Sequence, residues 1–337
     1  MEITNNGAIV NSAQCHLLGQ RLSVVTFRPE FLKRPFLVSP ISEELRSRMF
    51  FFSVAICHQT YTLQNREMNL FGWDYLEDGF LRMAQTKPHF LDPSFLVELP
   101  ADQLADELAL FFSSEGSVAS STLDRRSERA FLMKESARFV HQYYNNSVKD
   151  FLISTGNCLK NSPESFYEQL RHVLPFADPL YKKSTFLLKL LIDARLYQIN
   201  DPENIIPVMD YHMQRVLLRT GCVEIVDNEL FGNLSSRRGL ADDSSVREAS
   251  VEAMKVVARA SGLNPLLLND VFYMLGRSCC LEEPLCVSHQ CSKQPCSLTL
   301  TLHLESHNKC LFTSVCRGEI DSAYRRLWHP MVVTHYY

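Results

Sequence analysis

The cysteines of this 337-residue chain are unevenly placed. Seven of the eleven lie between Cys279 and Cys316, and the other four are scattered. Cysteines clustered in so short a segment pair as disulfides or bind metal. The chain does not open on a basic segment followed by an apolar run, as a secretory signal would. We therefore expect a reducing, cytoplasmic setting, which favours metal binding over disulfides, and we predict a metal loop over residues 279–316.

The predicted metal loop offers two kinds of site. All the clustered cysteines are candidate metal ligands: Cys279, Cys280, Cys286, Cys291, Cys296, Cys310 and Cys316. Four thiolates on one loop can hold an iron–sulfur cluster, expected as 4Fe-4S, or alternatively zinc. The seven thiols supply either one cluster with thiols to spare or two zinc sites that share His303 or His307. Spacing alone leaves iron and zinc open, and the metal-free alternative is an exposed, oxidation-prone segment.

Composition limits the partners of the chain. Hydrophobic residues make up 46% and charged residues 21%, with a formal net charge of −4. Proteins that coat nucleic acid through bulk charge neutralise phosphates with excess Lys and Arg, so we expect a small ligand or a limited nucleic-acid contact. The longest apolar stretch, 49–57, is about half of the ~20 residues that a membrane span needs. No membrane partner is predicted, and the oligomeric state stays open.

Apolar residues recur mainly with helical spacing, which predicts an all-α, mostly helical fold. The predicted helices are 43–57, 100–112, 127–144, 163–174, 180–197, 205–220 and 245–260. Polar stretches predict loops at 113–129 and 232–245. Alternating patterns typical of strands are scarce, with candidates only at 24–27, 297–304 and 331–335.

Asp210 is the candidate catalytic carboxylate. It follows an Ile-Ile-Pro-Val run at the start of a helix that would bury Met213, Val216 and Leu217 on one side. A helix N-terminus favours a negative charge. The alternative is an ordinary N-cap, which is the commonest role of an Asp at this position.

The segment beginning at Asp210 and the cysteine loop together resemble the helix-hairpin-helix DNA glycosylase superfamily. Asp210-x-His212-x-x-Arg215-Val216-x-x-Arg219-Thr220 is similar to the catalytic-aspartate helix of that family. The block from Gly276-Arg277 to Cys286 resembles the iron–sulfur loop of its cluster-bearing members, although the cysteine gaps depart from the usual ones. The resemblance implies a two-lobed glycosylase fold with a C-terminal metal loop, and a catalytic role for Asp210.

Two further segments resemble the base pocket of these glycosylases. Residues 55–60 are similar to an early helix from which a glutamine, here Gln59, enters the pocket. Phe71-Gly72-Trp73 is similar to the aromatic segment of the archaeal 8-oxoguanine glycosylase branch. The resemblance implies that Gln59, Trp73 and Phe71 contact the base. On residue type alone, a glutamine such as Gln59 is more often a surface or helix-packing amide, and a tryptophan such as Trp73 is more often an ordinary core residue.

The middle of the chain resembles the queuosine-salvage proteins, which share the glycosylase scaffold and release a deazaguanine base from a nucleoside or nucleotide. The similar segments are 180–185, 209–212, 129–144 and the closing His335-Tyr336-Tyr337. That family does not normally carry this cysteine loop. Its substrate is therefore an alternative to DNA rather than the first expectation.

Lys183 and Lys182 begin a predicted helix, 27 residues before Asp210 when counted from Lys183. In glycosylases that also cut the strand, a lysine near this place attacks the sugar and forms a Schiff base. Such a lysine must be neutral, which requires an apolar pocket or a neighbouring cation. The alternative is a solvated pair that touches phosphate. The glycine-rich hairpin expected before the lysine is absent from 175–180, which leaves lyase activity open.

Arg215 is the remaining candidate for substrate binding, facing a phosphate, with internal ion pairing as its alternative. We expect one lobe over 45–200 and a second formed by 1–44 plus 201–337, with Lys183, Asp210 and Gln59 meeting in the cleft. The predicted function is an N-glycosylase that acts on an oxidised or deazaguanine-type base in DNA. The alternatives are a queuosine-salvage-type nucleotide hydrolase and a non-catalytic, metal-stabilised nucleic-acid-binding protein.

Overall fold

The computed structural model describes residues 7–291, 293, 296–304 and 307–337, and these are mostly helical. This confirms the predicted fold class. The chain divides into two compact units. The 32–205 unit comprises Leu32–Ile205 together with Thr334–Tyr337, and the 206–333 unit comprises Ile206–Val333 together with the chain up to Phe31.

The 32–205 unit is built around helix Glu43–Ala55, whose Phe50, Phe51 and Phe52 are fully buried. Ser42 caps this helix by accepting a hydrogen bond from the amide of Leu45 at 3.2 Å. The α-helices of the unit are Pro35–Val38, Glu43–Ala55, Trp73–Thr86, Pro93–Glu98, Ala101–Phe111, Arg126–Tyr143, Val148–Ser154, Phe166–Leu170 and Lys182–Asp193. Short 3-10 turns lie at Pro88–Leu91, Val118–Ser120, Leu174–Phe176 and Pro202–Asn204.

In the 206–333 unit, helix Ser12–Leu22 packs closely against helix Ser244–Ser261. Gly19 makes this approach possible, since a Cβ there would lie 2.4 Å from the Cβ of Ala260. The α-helices of the unit are Ser12–Leu22, Tyr211–Thr220, Asn228–Ser236, Ser244–Ser261, Pro265–Ser278, Leu285–Ser288, Ser297–Thr301, Arg317–Ile320 and Ser322–Arg326. A 3-10 turn, Pro29–Lys33, runs from this unit into the other.

Strands are few and short among the described residues. Three antiparallel pairs join Ala8–Val10 with Val223–Ile225, Thr26–Phe27 with Leu302–His303, and Gln64–Asn65 with Leu70–Phe71. The first pair runs in the register Ala8↔Ile225 and Val10↔Val223.

The predicted strands at 24–27 and 297–304 are correct only where they pair, at 26–27 and 302–303. The rest of the second segment is wrong, because Ser297–Thr301 forms a helical turn. The candidate strand at 331–335 reduces to a single bridge between Met331 and Gly239. The loop predicted at 232–245 is wrong over its first residues, where Asn228–Ser236 is helical because Asp227 caps it.

Within the described residues, none of the helices combines the length and the hydrophobicity that a membrane crossing requires.

Candidate functional site

A candidate metal centre lies in the 206–333 unit. Three cysteines and one histidine bring their ligand atoms within 4.8 Å of one another: Cys279, Cys291, Cys296 and His307. Cys279 directly follows helix Pro265–Ser278, and Cys296 immediately precedes helix Ser297–Thr301. The end of one helix and the start of another therefore position two of the ligands. The chain between and after these two positions supplies the other two.

The geometry of this metal centre fits a single tetrahedral ion. The sulfurs of Cys279 and Cys296 lie 3.6 Å apart, and an ion bound at ~2.3 Å from each sulfur holds thiolates at about this separation. The ring nitrogens of His307 are buried and have no hydrogen-bond partner among the described residues, which fits a nitrogen that binds metal. The hydrogen bond from Cys279 lowers the pKa of the Cys296 thiol to about 5, and the same bond raises the pKa of Cys279.

The candidate metal centre contains three of the seven predicted cysteine ligands. Its fourth ligand is His307, which the sequence analysis named only as a possible further ligand. His303 is exposed and pairs with Thr26 in a strand. Cys280, Cys286, Cys310 and Cys316 instead line a neighbouring cavity. The predicted metal loop can therefore bind a metal ion, but its cysteines do not all lie around the same site.

Asp210 caps the helix Tyr211–Thr220, which we call the Asp210 helix. Its Oδ1 accepts a hydrogen bond from the amide of Met213 at 3.0 Å, and the residue is 7% exposed. Asp210 therefore is the N-cap of this helix. It also holds the carboxylate in a buried position beside the positive end of the helix, which stabilises its anionic form.

The arginines of the Asp210 helix hold the beginning of the cysteine loop. Arg215 is 2% exposed and donates from Nε to the carbonyl oxygen of Cys280 at 2.8 Å and from Nη2 to that of Gly276. Arg219 donates from Nη1 to the carbonyl oxygen of Leu281 at 2.5 Å, and from Nε to that of Leu327 at 3.0 Å. Burial lowers the pKa of Arg215 to about 10. These contacts are structural, and the predicted substrate-binding role of Arg215 remains a prediction.

Gly276 lets helix Pro265–Ser278 approach the Asp210 helix. A Cβ at Gly276 would lie 2.7 Å from the carbonyl oxygen of His212. Two histidines line the same region, since His212 Nδ1 lies 3.2 Å from Arg215 Nη2 and His329 Nδ1 lies 3.0 Å from Arg215 Nη1. Burial and then the charge of Arg215 lower the pKa of His212 strongly and that of His329 to about 2. Sequence reasoning missed His329, which no local motif marks.

Lys183 lies at the start of helix Lys182–Asp193 and is completely buried. Its Nζ donates to the carbonyl oxygen of Ala55 at 2.6 Å. Burial, with a smaller contribution in the same direction from the charge of Lys182, lowers the pKa of Lys183 to about 7. Lys182 is also buried, with Nζ 3.4 Å from the sulfur of Cys57. The alternative of a solvated lysine pair is therefore wrong.

A buried histidine accompanies Lys183 in the 32–205 unit. Neither ring nitrogen of His58 has a hydrogen-bond partner among the described residues. A carboxylate oxygen, Oε1 of Glu128, lies 3.9 Å from its Nε2. Burial and then the charge of Lys183 hold the pKa of His58 far below its usual value. Sequence analysis missed His58, although its position next to Gln59 was the available signal.

Gln59 lies beyond the helix to which its segment was compared. Helix Glu43–Ala55 ends four residues earlier, and Gln59 has a left-handed backbone with φ 41°. The helical placement is therefore wrong. Its side-chain Oε1 accepts from Nη1 of Arg125 at 3.0 Å, and its backbone N–H donates to the main-chain oxygen of Tyr337 at 3.2 Å.

The two predicted aromatic contacts differ in their surroundings. Trp73 opens helix Trp73–Thr86, donates from Nε1 to Glu77 at 2.6 Å and packs edge-on against Phe186 with ring centroids 4.7 Å apart. Phe71 is 37% exposed at the end of a short strand. Phe71 is therefore the more accessible ring, and Trp73 is partly used in packing.

The chain shows little similarity to known proteins. No protein-family model and no curated protein matches the chain. Among solved structures, the 8-oxoguanine DNA glycosylase of Pyrobaculum aerophilum, complexed with 8-oxoguanosine, is similar at 19% identity with a TM-score of 0.45. The match covers 79% of this chain and 89% of that one. A likeness at this level assigns neither activity nor substrate to this chain.

Proposed function

We propose that this chain is an N-glycosylase that releases a modified, purine-like base of the oxidised or deazaguanine type from its sugar, with DNA as the substrate. The observation that carries the proposal is Lys183, a fully buried lysine whose pKa is lowered to about 7. Buried amines with such a pKa are typical of lysine nucleophiles. At neutral pH about half of the molecules would hold Lys183 as a free amine.

Lys183 would attack the anomeric carbon of the sugar. As the Nζ–C1′ bond forms, the bond from C1′ to the base breaks, and the base leaves with its electron pair and takes a proton. The attached amine loses one proton, the C1′–O4′ bond of the sugar ring breaks with its electron pair and that proton going to O4′, and a protonated Schiff base between C1′ and Nζ is left, which water then hydrolyses. His58 would stay a neutral imidazole during this step, because burial and the charge of Lys183 hold its pKa far below the usual value, so it can offer a hydrogen bond but not take up a proton.

Asp210 would stabilise the positive charge that builds on the sugar as the base departs. A carboxylate that is 7% exposed and capped by an amide is held in one orientation before the reaction begins. Preorganised charge in a place from which water is excluded stabilises a transition state more than a solvated charge does. The same residue can orient the attacking water.

The base itself would be recognised by stacking against aromatic rings and by a hydrogen bond to a side-chain amide. A base removed from a duplex must leave the stack and is then held between aromatic or apolar side chains. Phe71 and Trp73 supply rings, and Gln59 supplies an amide whose orientation Arg125 fixes.

We further propose that the candidate metal centre holds zinc with a structural role. Three thiolates and one imidazole at tetrahedral separation are a common structural zinc set. When bound, the ion supplies folding energy to the segment 279–307, and the reaction itself depends on the protein side chains.

Base release tests this function. Duplex DNA with 8-oxoguanine and, separately, deazaguanine nucleotides are incubated with the protein, and free base is measured. We expect release from DNA, and a loss of at least 100-fold in Lys183→Gln. The matched control is Lys149→Gln, because Lys149 lies in the same unit but has a side chain 44% exposed. Equal release by both variants would contradict the proposal.

Salt dependence separates the two substrates. Activity on DNA should fall steeply between 50 and 200 mM salt, roughly as phosphate contacts are lost. Turnover of a free nucleotide should change little. Release from nucleotides alone, with a flat salt response, would favour the queuosine-salvage type of reaction over DNA.

A further inference from the structure

A cavity of the 32–205 unit, which we call the Arg195 cavity, lies where the loop after helix Val148–Ser154 meets the loop after helix Lys182–Asp193. It measures about 300 Å³, at the lower end of the ~300–1,000 Å³ of sites that hold small molecules. Helix Lys182–Asp193 is about 18 Å long, with Lys183 in its first turn and the cavity beyond its last. The Arg195 cavity is therefore separate from Lys183.

Hydrogen bonds between the two loops hold the walls of the Arg195 cavity together. The backbone N–H of Asn200 donates to the carbonyl oxygen of Asn157 at 2.8 Å, and its Nδ2 donates to that of Gly156 at 3.2 Å. The hydroxyls of Tyr197 and Thr155 lie 2.5 Å apart. The cavity is thus formed before a ligand enters, which lowers the entropic cost of binding.

Arg195 has a backbone conformation in which glycine is usual. Its φ is 60°, and it follows the C-cap of helix Lys182–Asp193. Its N–H donates to the carbonyl oxygen of Ile192 at 2.9 Å, and the next N–H, that of Leu196, donates to that of Leu191 at 2.8 Å. These two hydrogen bonds form a Schellman motif, whose left-handed position is occupied mostly by glycine and sometimes by asparagine. The end of the helix therefore does not itself call for an arginine here.

Three polar side chains that line the cavity have no hydrogen-bond or ion-pair partner in the part of the chain that the structure describes. These are Asn157, Arg195 and Gln198, and all three are exposed to solvent. Lys149 also borders the cavity, but its Nζ donates to Oε2 of Glu43 at 2.6 Å. The donors left for a ligand are therefore one guanidinium and two side-chain amides.

These donors match a phosphate monoester. The guanidinium of Arg195 presents its N–H groups in a fixed fork that fits two oxygens of a phosphate or a carboxylate. The amides of Asn157 and Gln198 each add an NH₂ donor. A carboxylate has only two oxygens to accept from these groups, whereas a phosphate monoester has three terminal oxygens. Ile153, which is 73% exposed, and Leu196 supply an apolar wall for an organic group.

We propose that the Arg195 cavity binds a small phosphate monoester. Arg195 pairs with the phosphate, Asn157 and Gln198 donate to its oxygens, and the organic group lies against Ile153 and Leu196. A phosphodiester of a DNA backbone lacks the third terminal oxygen, so the ligand is a small molecule and not DNA. The site does not depend on the proposed glycosylase activity.

Titration calorimetry of the whole protein with phenyl phosphate tests the proposal. We expect binding at a single site, with benzoate weaker by about tenfold or more because it has one oxygen and one charge fewer. Arg195→Gln should weaken phenyl phosphate by about tenfold or more, since a charge-assisted hydrogen bond is lost. The matched control is Arg171→Gln, in the same unit and with a side chain 53% exposed. It should bind like the wild type, and so should Lys183→Gln.

Four results would overturn the assignment: no binding by the wild type, equal affinity in Arg195→Gln, loss of binding in Lys183→Gln, or benzoate bound as tightly as phenyl phosphate. Competition by duplex DNA without terminal phosphates would show that the ligand is a nucleic-acid backbone, and would likewise contradict a small-molecule site.

Arg195→Gly separates ligand binding from a role in ending the helix. Glycine adopts a φ of 60° without strain, so the midpoint of urea unfolding should stay the same or rise while binding of phenyl phosphate is lost. If Arg195 only places a positive charge at the C-terminal end of the helix, the midpoint falls and the affinity stays that of the wild type. That result would overturn the proposal.

Discussion

The amine of Lys183 donates to the carbonyl oxygen of Ala55 at 2.6 Å, at the last residue of helix Glu43–Ala55. The C-terminal end of a helix favours a positive charge. Burial nevertheless dominates, and the pKa of Lys183 falls to about 7. One contact therefore holds the amine in place while the lack of water keeps it ready to lose its proton.

The pH dependence of base release follows from this lowered pKa. The reactive form of Lys183 is neutral, so the rate should rise by up to about tenfold per unit below pH 7 and level off above it. Single-turnover rates between pH 5.5 and 9 measure this. A profile that stays flat across pH 7 would contradict the role of Lys183.

Asp210 allows capping and catalysis to be measured separately. Asp210→Asn keeps a good N-cap but removes the charge, so we expect little change in stability and a loss of base release of at least 100-fold. Asp210→Ala should lose both, with about 1 kcal/mol less free energy of unfolding. Urea unfolding and base release measure the two effects. If Asp210→Asn is fully active, the cap is the whole role of the residue.

Removal of Arg215 should destabilise the 206–333 unit. Its guanidinium donates to the carbonyl oxygens of Gly276 and Cys280. Arg215→Met would remove this donor from Gly276 and leave Cys280 with only the longer contact from Nη1 of Arg219 at 3.4 Å. We expect a loss of about 2–4 kcal/mol in the free energy of unfolding. The control is Arg238→Met, at an exposed position, which should change it by less than ~0.5 kcal/mol. A similar small effect at both positions would show that the buried contacts contribute little.

Zinc removal should loosen the same unit. Structural zinc binds with about 10 kcal/mol or more of apparent free energy in small domains, and that energy is coupled to folding. Cys291→Ser should therefore lower the midpoint of thermal unfolding by several degrees, with Cys158→Ser unchanged. If a chelator that removes all zinc leaves the midpoint where it was, the ion has no structural role.

Acid should destabilise the protein from near pH 6.5 downward. His58, His212 and His329 all have folded-state pKa values held well below 6.5 by burial. The unfolded chain binds protons at these sites as pH falls through 6.5, while the folded chain does not, so stability is present above that pH and is lost below it. Urea unfolding at pH 7.5, 6.5 and 5.5 measures this. Equal stability at all three would contradict the burial of the histidines.

The sequence revealed the helical class because apolar periodicity is local, and it placed the metal ligands in the right segment because cysteines are conspicuous. It could not divide those cysteines, since Cys279 and Cys280 are neighbours in sequence and separate only in space. His58 and His329 were missed for the same reason: each acquires its environment from residues far along the chain, such as Lys183 and Arg215. The strand predicted at residues 297–301 was wrong for a different reason. The alternating apolar and Thr residues of this segment are also compatible with the short helix that forms there.

Borohydride trapping tests the central role of Lys183 most directly. Wild-type protein is incubated with DNA containing the modified base in the presence of borohydride, and the covalent product is digested and mapped by mass spectrometry. We predict a reduced sugar adduct on Lys183, absent in Lys183→Gln and present in Lys149→Gln. Base release without any adduct at Lys183, together with full activity of Lys183→Gln, would contradict the account.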